Sequence, residues 1–341
     1  MLKRITLRNL FGSVLRIGAA LALAELGTLE MGLEANAKGA FTTFNPGQQF
    51  GTDAVAINDS GTVTGDYGYT SEQAHGFVRT ADGTITSFDP PGSESTLPMS
   101  INDSGVIAGF YIGGSKNGFV RAPDGTITTF GIPQAFMYTR AINKGGAITG
   151  YYETNNNGIQ AFVRSPGGKI TTINPVGSGE IVAYSINSAG RITGFYVDGG
   201  GGTHGYVADA KGDFTTIDVP QAMITEGVGI NDSGVIAGAY YDNDYTPFAF
   251  IRSAGGNFTT ISDPKCQYPD VVAINNKGQV IGTCAVGRRG EIGFVRSADG
   301  QFQTFHLPQS HETLPAGINN HGLITGKFDA HTPFEGFIRT P

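Results

Sequence analysis

The sequence predicts an all-β protein, a closed seven-bladed β-propeller with four antiparallel strands per blade. Three observations predict it. The pair Ile-Asn recurs seven times, at Ile57-Asn58, Ile101-Asn102, Ile142-Asn143, Ile186-Asn187, Ile230-Asn231, Ile274-Asn275 and Ile318-Asn319. The spacing is 44 residues except for one interval of 41. Each repeat holds four short β-branched or aromatic segments bounded by Gly, Asp or Asn turns. Four hairpin-linked strands in a unit of roughly 40–45 residues is the blade of a propeller.

The second unit illustrates the order. Its first segment ends in Met99-Ser100-Ile101-Asn102, and the turn Asp103-Ser104-Gly105 follows. The second is Val106 to Tyr111, the third Gly118-Phe119-Val120-Arg121, and the fourth, after Pro123-Asp124-Gly125, is Ile127-Thr128-Thr129-Phe130. Gly and Asn accept positive φ at low cost, so these turns suit tight hairpins. A linear solenoid is the alternative, and the chain ends argue against it. The last unit stops at Thr340-Pro341 without a fourth segment, and that segment precedes the first unit as Phe41-Thr42-Thr43-Phe44. A strand 41–44 completing the last blade would close the ring and leave no open edge at the seam.

Within each unit the residue types match that geometry. A small residue precedes every Ile (Ala56, Ser100, Ala141, Ser185, Gly229, Ala273, Gly317), as an innermost strand near the axis requires. A third-segment aromatic (Phe77, Phe119, Phe162, Tyr206, Phe250, Phe294, Phe337) would fill the wider space farther out. An Arg two residues later in six units, with Ala208 the exception, reads as architectural.

Composition excludes several classes. The chain of 341 residues has 52 Gly and only 15% charged side chains, against averages of roughly 7% Gly and about 25% charged. A hydrophobic content of 39%, with 22 Phe and 13 Tyr, is too rich for disorder. The formal net charge of −7, with no Lys/Arg cluster, excludes a nucleic-acid binder that works by charge. No apolar run reaches about 18 residues, so no membrane span is expected.

Residues 1–37 differ from the rest. Lys3, Arg4, Arg8 and Arg16 precede the apolar run Ile17 to Ala24, and Ala35-Asn36-Ala37 offers a small-x-small cleavage site. Basic, apolar, small is the order of a secretory signal peptide. Residues 38–341 would then form one domain, secreted or periplasmic, and a monomer. Cys266 and Cys284, the sole cysteines, would meet an oxidising compartment. Pairing about the turn Asn275-Asn276-Lys277-Gly278 puts Cys284 opposite about Pro269, three residues from Cys266, and a disulfide between them is expected.

The third-segment patterns His75-Gly76-Phe77-Val78-Arg79 and His204-Gly205-Tyr206-Val207 have relatives in form. With the Ile-Asn-Asp-Ser-Gly turns and the Asp-Gly-x-Ile-Thr-Thr-Phe hairpin, residues 41–341 resemble the bacterial extracellular repeat proteins of the HAF family. The resemblance implies export and a propeller-like fold, but no shared reaction or site, and only two units keep the His. The absence of Trp sets the chain apart from WD40 repeats, and a 44-residue period fits kelch poorly.

Function in such a frame usually lives on variable loops, here those between units and between second and third segments. Aligning the units shows where one breaks the pattern. Two residues before the Ile stand Val55, Met99, Arg140, Tyr184, Val228, Val272 and Ala316. Four before it stand Asp53, Leu97, Tyr138, Val182, Glu226, Asp270 and Leu314. Arg140 is a cation at an otherwise apolar or aromatic position. Glu226 and Asp270 belong to neighbouring units, with Arg140 and Tyr138 expected from roughly the opposite side. His311 and Glu312 lie in the loop entering the last unit. Asp53, Tyr138, Arg140, Glu226, Asp270, His311 and Glu312 are thus the candidate residues of an axial mouth.

Two functions stay open. One is an exported propeller recognising an extracellular glycan or protein on its variable face. The other is a carbohydrate-active enzyme, a polysaccharide lyase or glycoside hydrolase, using paired carboxylates or a Tyr or His base beside Arg140. No cofactor or metal is expected. Asp242-Asn243-Asp244 lacks the rest of a calcium loop, Gly199 to Gly202 has no helix or Lys to cradle phosphate, and the six His lack metal spacing.

Overall fold

A computed structural model describes residues 39–47, 51–68, 73–154, 158–174, 179–286, 290–329 and 333–341. The expected signal segment 1–37 lies outside them. Among the described residues there are 28 strands and no helix.

Each repeat unit is an antiparallel meander. The first unit pairs Gly51–Ile57, Val63–Gly68, Ala74–Arg79 and Ile85–Phe88 in that order. The next five units repeat it, with first strands Ser95–Ile101, Ala135–Ile142, Glu180–Ile186, Ile224–Ile230 and Gln267–Ile274. A single parallel bridge, Thr203 to Ile224, joins the fourth and fifth sheets. The last unit has Thr313–Ile318, Ile324–Asp329 and Phe334–Arg339, and its fourth strand is Phe41–Phe44. Phe41 registers with Arg339 and Phe44 with Gly336. The four-residue strand Phe41–Phe44 thus covers the outer edge of Phe334–Arg339.

The repeated Asn makes the strongest link between units. Its Nδ2 donates to the main-chain carbonyl of the next unit's Asn: Asn58 to Asn102, then to Asn143, Asn187, Asn231, Asn275 and Asn319 in turn. Asn319 then donates to the carbonyl of Asn58 at 2.9 Å, so the seven bonds form a circuit. The Oδ1 of each Asn accepts the amide four residues on, as Arg191 N to Asn187 at 3.0 Å, and so braces its own turn. One side chain therefore shapes a hairpin and ties it to its neighbour. All seven Asn are buried, where an unmade bond would cost about 1–3 kcal/mol.

Two more repeated devices set the spacing. Every first strand bulges before its Ile-Asn, as between Thr139 and Ala141, which leaves Arg140 without a cross-strand partner. The bulge pushes the first-strand carbonyl against the second strand. There the facing residue is Gly in all seven units, and at Gly65 or Gly282 an added Cβ would collide with the carbonyl of Asp53 or Asp270. Small residues ahead of the Ile let first strands approach one another: a Cβ on Gly317 would sit 3.1 Å from the Cα of Ala56.

Farther out, the seven third-strand aromatics are fully buried, each adding about 1.5–3 kcal/mol. The recurring Arg stacks on the fourth-strand Phe of the preceding unit: Arg121 over Phe88 at 5.0 Å, Arg164 over Phe130 at 4.7 Å, Arg339 over Phe305 at 4.7 Å. Arg79 lies 5.1 Å over Phe44 in the same way. Arg252 instead covers Phe258 of its own unit.

Cys266 and Cys284 are joined in a disulfide with Cα atoms 5.0 Å apart. The pairing differs in detail from the sequence expectation. Gln267 registers with Ala285 and Asp270 with Thr283, so Tyr268 and Pro269 together oppose Cys284. This second bulge takes up one residue of the offset and brings Cys266 within bridging range.

Two outcomes follow from these links. Asn187→Ala should cost on the order of 3 kcal/mol, because it orphans two turn amides and takes from the Asn231 carbonyl one of its two donors. Asn187→Asp keeps the acceptor and loses the donor, so its deficit in chemical denaturation should narrow below about pH 4, where a protonated carboxyl donates again. A chain starting at residue 47 should melt lower than one starting at 38 and aggregate sooner, since Phe334–Arg339 becomes an open edge; thermal scans with light scattering read both.

Candidate binding site

First strands enter from the variable loops and end at the Asn turns, so residues three to five before the Asn lie toward the variable side. The bulge directs both Tyr138 and Arg140 into the same cluster. Tyr138 stacks on Tyr151, the residue opposite it on the second strand, with ring centroids 4.8 Å apart. Lys116 Nζ donates to the Tyr138 hydroxyl at 2.9 Å and lies 4.7 Å from its ring centroid.

Arg140 is held by π faces. Its guanidinium sits 5.6 Å from the Tyr151 ring centroid and 5.5 Å from that of Tyr184 in the next unit. Its Nε is buried without a hydrogen-bond partner. Burial, and then the charge of Glu226, raise the Tyr184 hydroxyl, while Arg140 opposes the rise. Tyr184 is thus within electrostatic reach of both Arg140 and Glu226.

The acidic part continues through the fifth and sixth units. Burial, with the Asp270 charge behind it, raises Glu226 to about 7. Burial, with Glu291 behind it, raises Asp270 to about 6. Glu226 is half-buried and Asp270 is solvent-exposed. Solvent reaches these oxygens, yet surrounding protein leaves them poorly hydrated, and desolvation dominates. Tyr241 is pushed up to about 12 by burial and by the same two carboxylates. Arg140, Tyr151, Tyr184, Glu226, Tyr241, Asp270 and Glu291 form one electrostatically linked arc over four consecutive units.

The remaining candidates fall elsewhere. Asp53 pairs with Lys327 of the last unit. Its cross-strand neighbour Asp66 is raised well above the usual carboxylate range by burial and then by Asp53, with Lys327 opposing. These three charges tie the first unit to the last. His311 Nδ1 lies 3.5 Å from Asp329 Oδ2 and is largely exposed, and the Glu312 carbonyl accepts the Asp329 amide. His311 and Glu312 thus contact the second strand of their own unit.

Sequence alignment of the units missed Asp66, Glu291 and Lys327. The position after the second-strand Gly reads Asp66, Phe110, Tyr151, Phe195, Ala239, Thr283 and Lys327. Two charges among aromatics were the available signal. Other motifs proved local: Asp242 Oδ1 accepts the amides of Asp244 and Thr246 in a polar turn. His75 and His204 bond Asp89 and Asp218 at 2.7 and 2.9 Å. Among the described residues, no group of three His, Cys, Asp or Glu is placed to hold a metal ion, and no helix is long and apolar enough to cross a membrane.

No family model and no curated protein matches the sequence. Solved structures do match the fold. A catalytically inactive virginiamycin B lyase from Staphylococcus aureus, with quinupristin, aligns over 89% of this chain and 100% of its own at TM-score 0.63 and 14% identity. The β-propeller domain of the trilobed protease from Pyrococcus furiosus, described as having an open velcro topology, aligns over 86% and 95% at TM-score 0.63 and 10% identity. TolB from Acinetobacter baumannii aligns over 74% and 63% at TM-score 0.51 and 13% identity. At these identities the likeness establishes the fold, a β-propeller, and nothing about chemistry.

The raised carboxyls make a pH prediction. Between the ordinary Glu range and about 7, the folded chain binds more protons at Glu226 than the unfolded chain. Stability therefore falls across that window as pH rises. Glu226→Gln removes this contribution, so its melting temperature relative to the parent should be higher at pH 8 than at pH 5. An equal difference at both values would contradict the burial of the carboxylate.

Proposed function

We propose that residues 38–341 form a closed seven-bladed propeller, exported behind the segment 1–37, that binds an extracellular glycan at the mouth of its axis. The circuit of seven Asn bonds and the pairing of Phe41–Phe44 with Phe334–Arg339 support closure. The Cys266–Cys284 disulfide accords with an oxidising compartment. The repeat motifs keep the chain in the company of the HAF-type proteins it resembles.

The observation that carries the binding reading is the arc itself. Most other units place apolar or aromatic residues at these positions, and here the repeat places a cation between two tyrosines and, beyond them, two carboxyls that burial holds above the ordinary carboxylate range. Burying charges in this way costs stability, which a ligand would repay through directed hydrogen bonds. Tyr and Arg offer stacking faces, and Glu226 and Asp270 offer acceptors for sugar hydroxyls.

A second reading rests on one feature. Glu226 near 7 and Asp270 near 6 are suited to proton transfer at neutral pH, as a hydrolase or lyase at this mouth would require.

A polysaccharide panel, assayed for binding and for released reducing ends or unsaturated uronates, separates the two. Arg140→Met should keep the fold and weaken binding at least tenfold, about 1.4 kcal/mol. Unchanged binding in a folded Arg140→Met protein would remove the mouth from consideration. Product release abolished by Glu226→Gln would move the function to catalysis.

A further inference from the structure

A second site is marked by two strained, exposed tyrosines on the variable side of the fifth and sixth units. Tyr245 has φ 59° and is 62% exposed; Tyr268 has φ 49° and is 51% exposed. Left-handed backbone is unfavourable for a bulky aromatic residue, and exposure means neither ring is repaid by core packing.

The fourth unit shows what the Tyr245 turn would ordinarily hold. There Asp198 Oδ1 accepts the amides of Gly200 and Gly202, and Gly201 N donates to Asp198 O. In the fifth unit Asp242 accepts from Asp244 and Thr246, and Tyr245 N donates to Asp242 O at 3.0 Å. The two turns are the same, and Tyr245 stands where Gly201 has φ 87°. Tyr268 lies in the bulge that opposes Cys284, two residues beyond the disulfide that anchors its loop.

Between these loops runs a groove of about 510 Å³, bordered by Thr246, Pro247 and Phe248 on one side and by Ser262, Asp263 and Gln267 to Tyr268 on the other. Its volume falls within the range of small-molecule sites. The Tyr268 ring and the faces of Phe248 and Pro247 supply flat apolar contact, and Tyr245 flanks the groove beside Thr246. Ser262, Asp263 and Gln267 supply hydroxyl, carboxylate and amide groups for hydrogen bonds.

We infer that this groove binds a neutral oligosaccharide of β-linked pyranose rings. Such rings present a flat C–H face for stacking and a rim of equatorial hydroxyls for polar groups. The Asp263 carboxylate and the chain's net charge of −7 disfavour a uronate. The disulfide and the paired bridge of Asp263 with Cys266 hold the groove in shape before ligand arrives, which lowers the ordering cost of binding. The site rests on the fold and is independent of the mouth.

Calorimetric titration of the disulfide-bonded protein with cellohexaose, laminarihexaose, xylohexaose and chitohexaose tests it, with decaproline as the competing chemistry. At least one hexasaccharide should bind, at least tenfold more weakly to Tyr245→Gly and to Tyr268→Ala. Lys211→Ala, in an exposed turn of the fourth unit, should leave that binding unchanged. Tyr245→Gly should also melt above the parent, because glycine relieves the backbone, so lost binding could not be ascribed to unfolding. The inference is overturned if no hexasaccharide binds at 10 mM on the order of ordinary weak-site titrations, if both tyrosine variants bind like the parent, or if decaproline alone binds. Binding lost in Arg140→Met but kept in the tyrosine variants would assign the sugar to the mouth instead.

Discussion

The asparagine circuit is the interaction on which the rest of the structure depends. Each Asn uses its two functional atoms in opposite directions: Oδ1 holds the turn it belongs to, and Nδ2 reaches the carbonyl of the following unit. A hairpin and an inter-unit contact are therefore made or lost together. Neither Asp nor Ser could serve, because an ionised Asp has no donor and a Ser hydroxyl cannot span both partners at once. The circuit also fixes the height of each first strand relative to its neighbour, and from that height follow the bulge, the facing glycine and the small residue before each Ile.

A frame tied in this way separates its two sides. The side of the Asn turns is occupied by hydrogen bonds common to all units, whereas the loops opposite differ from unit to unit in length and composition and share bonds only in part. Outer strands are bound differently, by Arg side chains lying on the preceding unit's phenylalanines. Cation–π contacts of this kind contribute about 0.5–2 kcal/mol each and leave the arginine able to bond the adjacent carbonyl, as Arg121 does with Ala122. The recurring arginine belongs to the frame and not to a site.

Where a unit departs from the pattern, it does so against its own stability. Arg140 keeps an unsatisfied Nε, Glu226 keeps a poorly hydrated carboxyl, and Tyr245 occupies a backbone conformation that glycine would adopt more easily. These departures gather in two places, the arc from the third to the sixth unit and the groove beside the disulfide. The Asp53–Lys327 pair is of another kind, since it joins the first unit to the last and partly compensates the burial of Asp66.

Much of this was legible in the chain. The period, the strand order within a unit, the buried third-strand aromatics and the edge-completing segment 41–44 all follow from local chemistry repeated seven times, because a repeat amplifies a signal that one unit would leave ambiguous. Charged interruptions such as Arg140, Glu226 and Asp270 stood out by the same comparison. Which of them meet could not be read, since that depends on the bulge that turns Tyr138 and Arg140 into one cluster and on Tyr184 reaching across from the next unit. That His311 and Glu312 both contact Asp329 could not be read either. The partner carbonyl of each Asn lies 41 or 44 residues away in sequence, or 261 for Asn319, and one unit away in space. Local propensity determined the strands; only closure of distant strands onto one another decided which polar atoms would be buried together and which backbone would bear the strain.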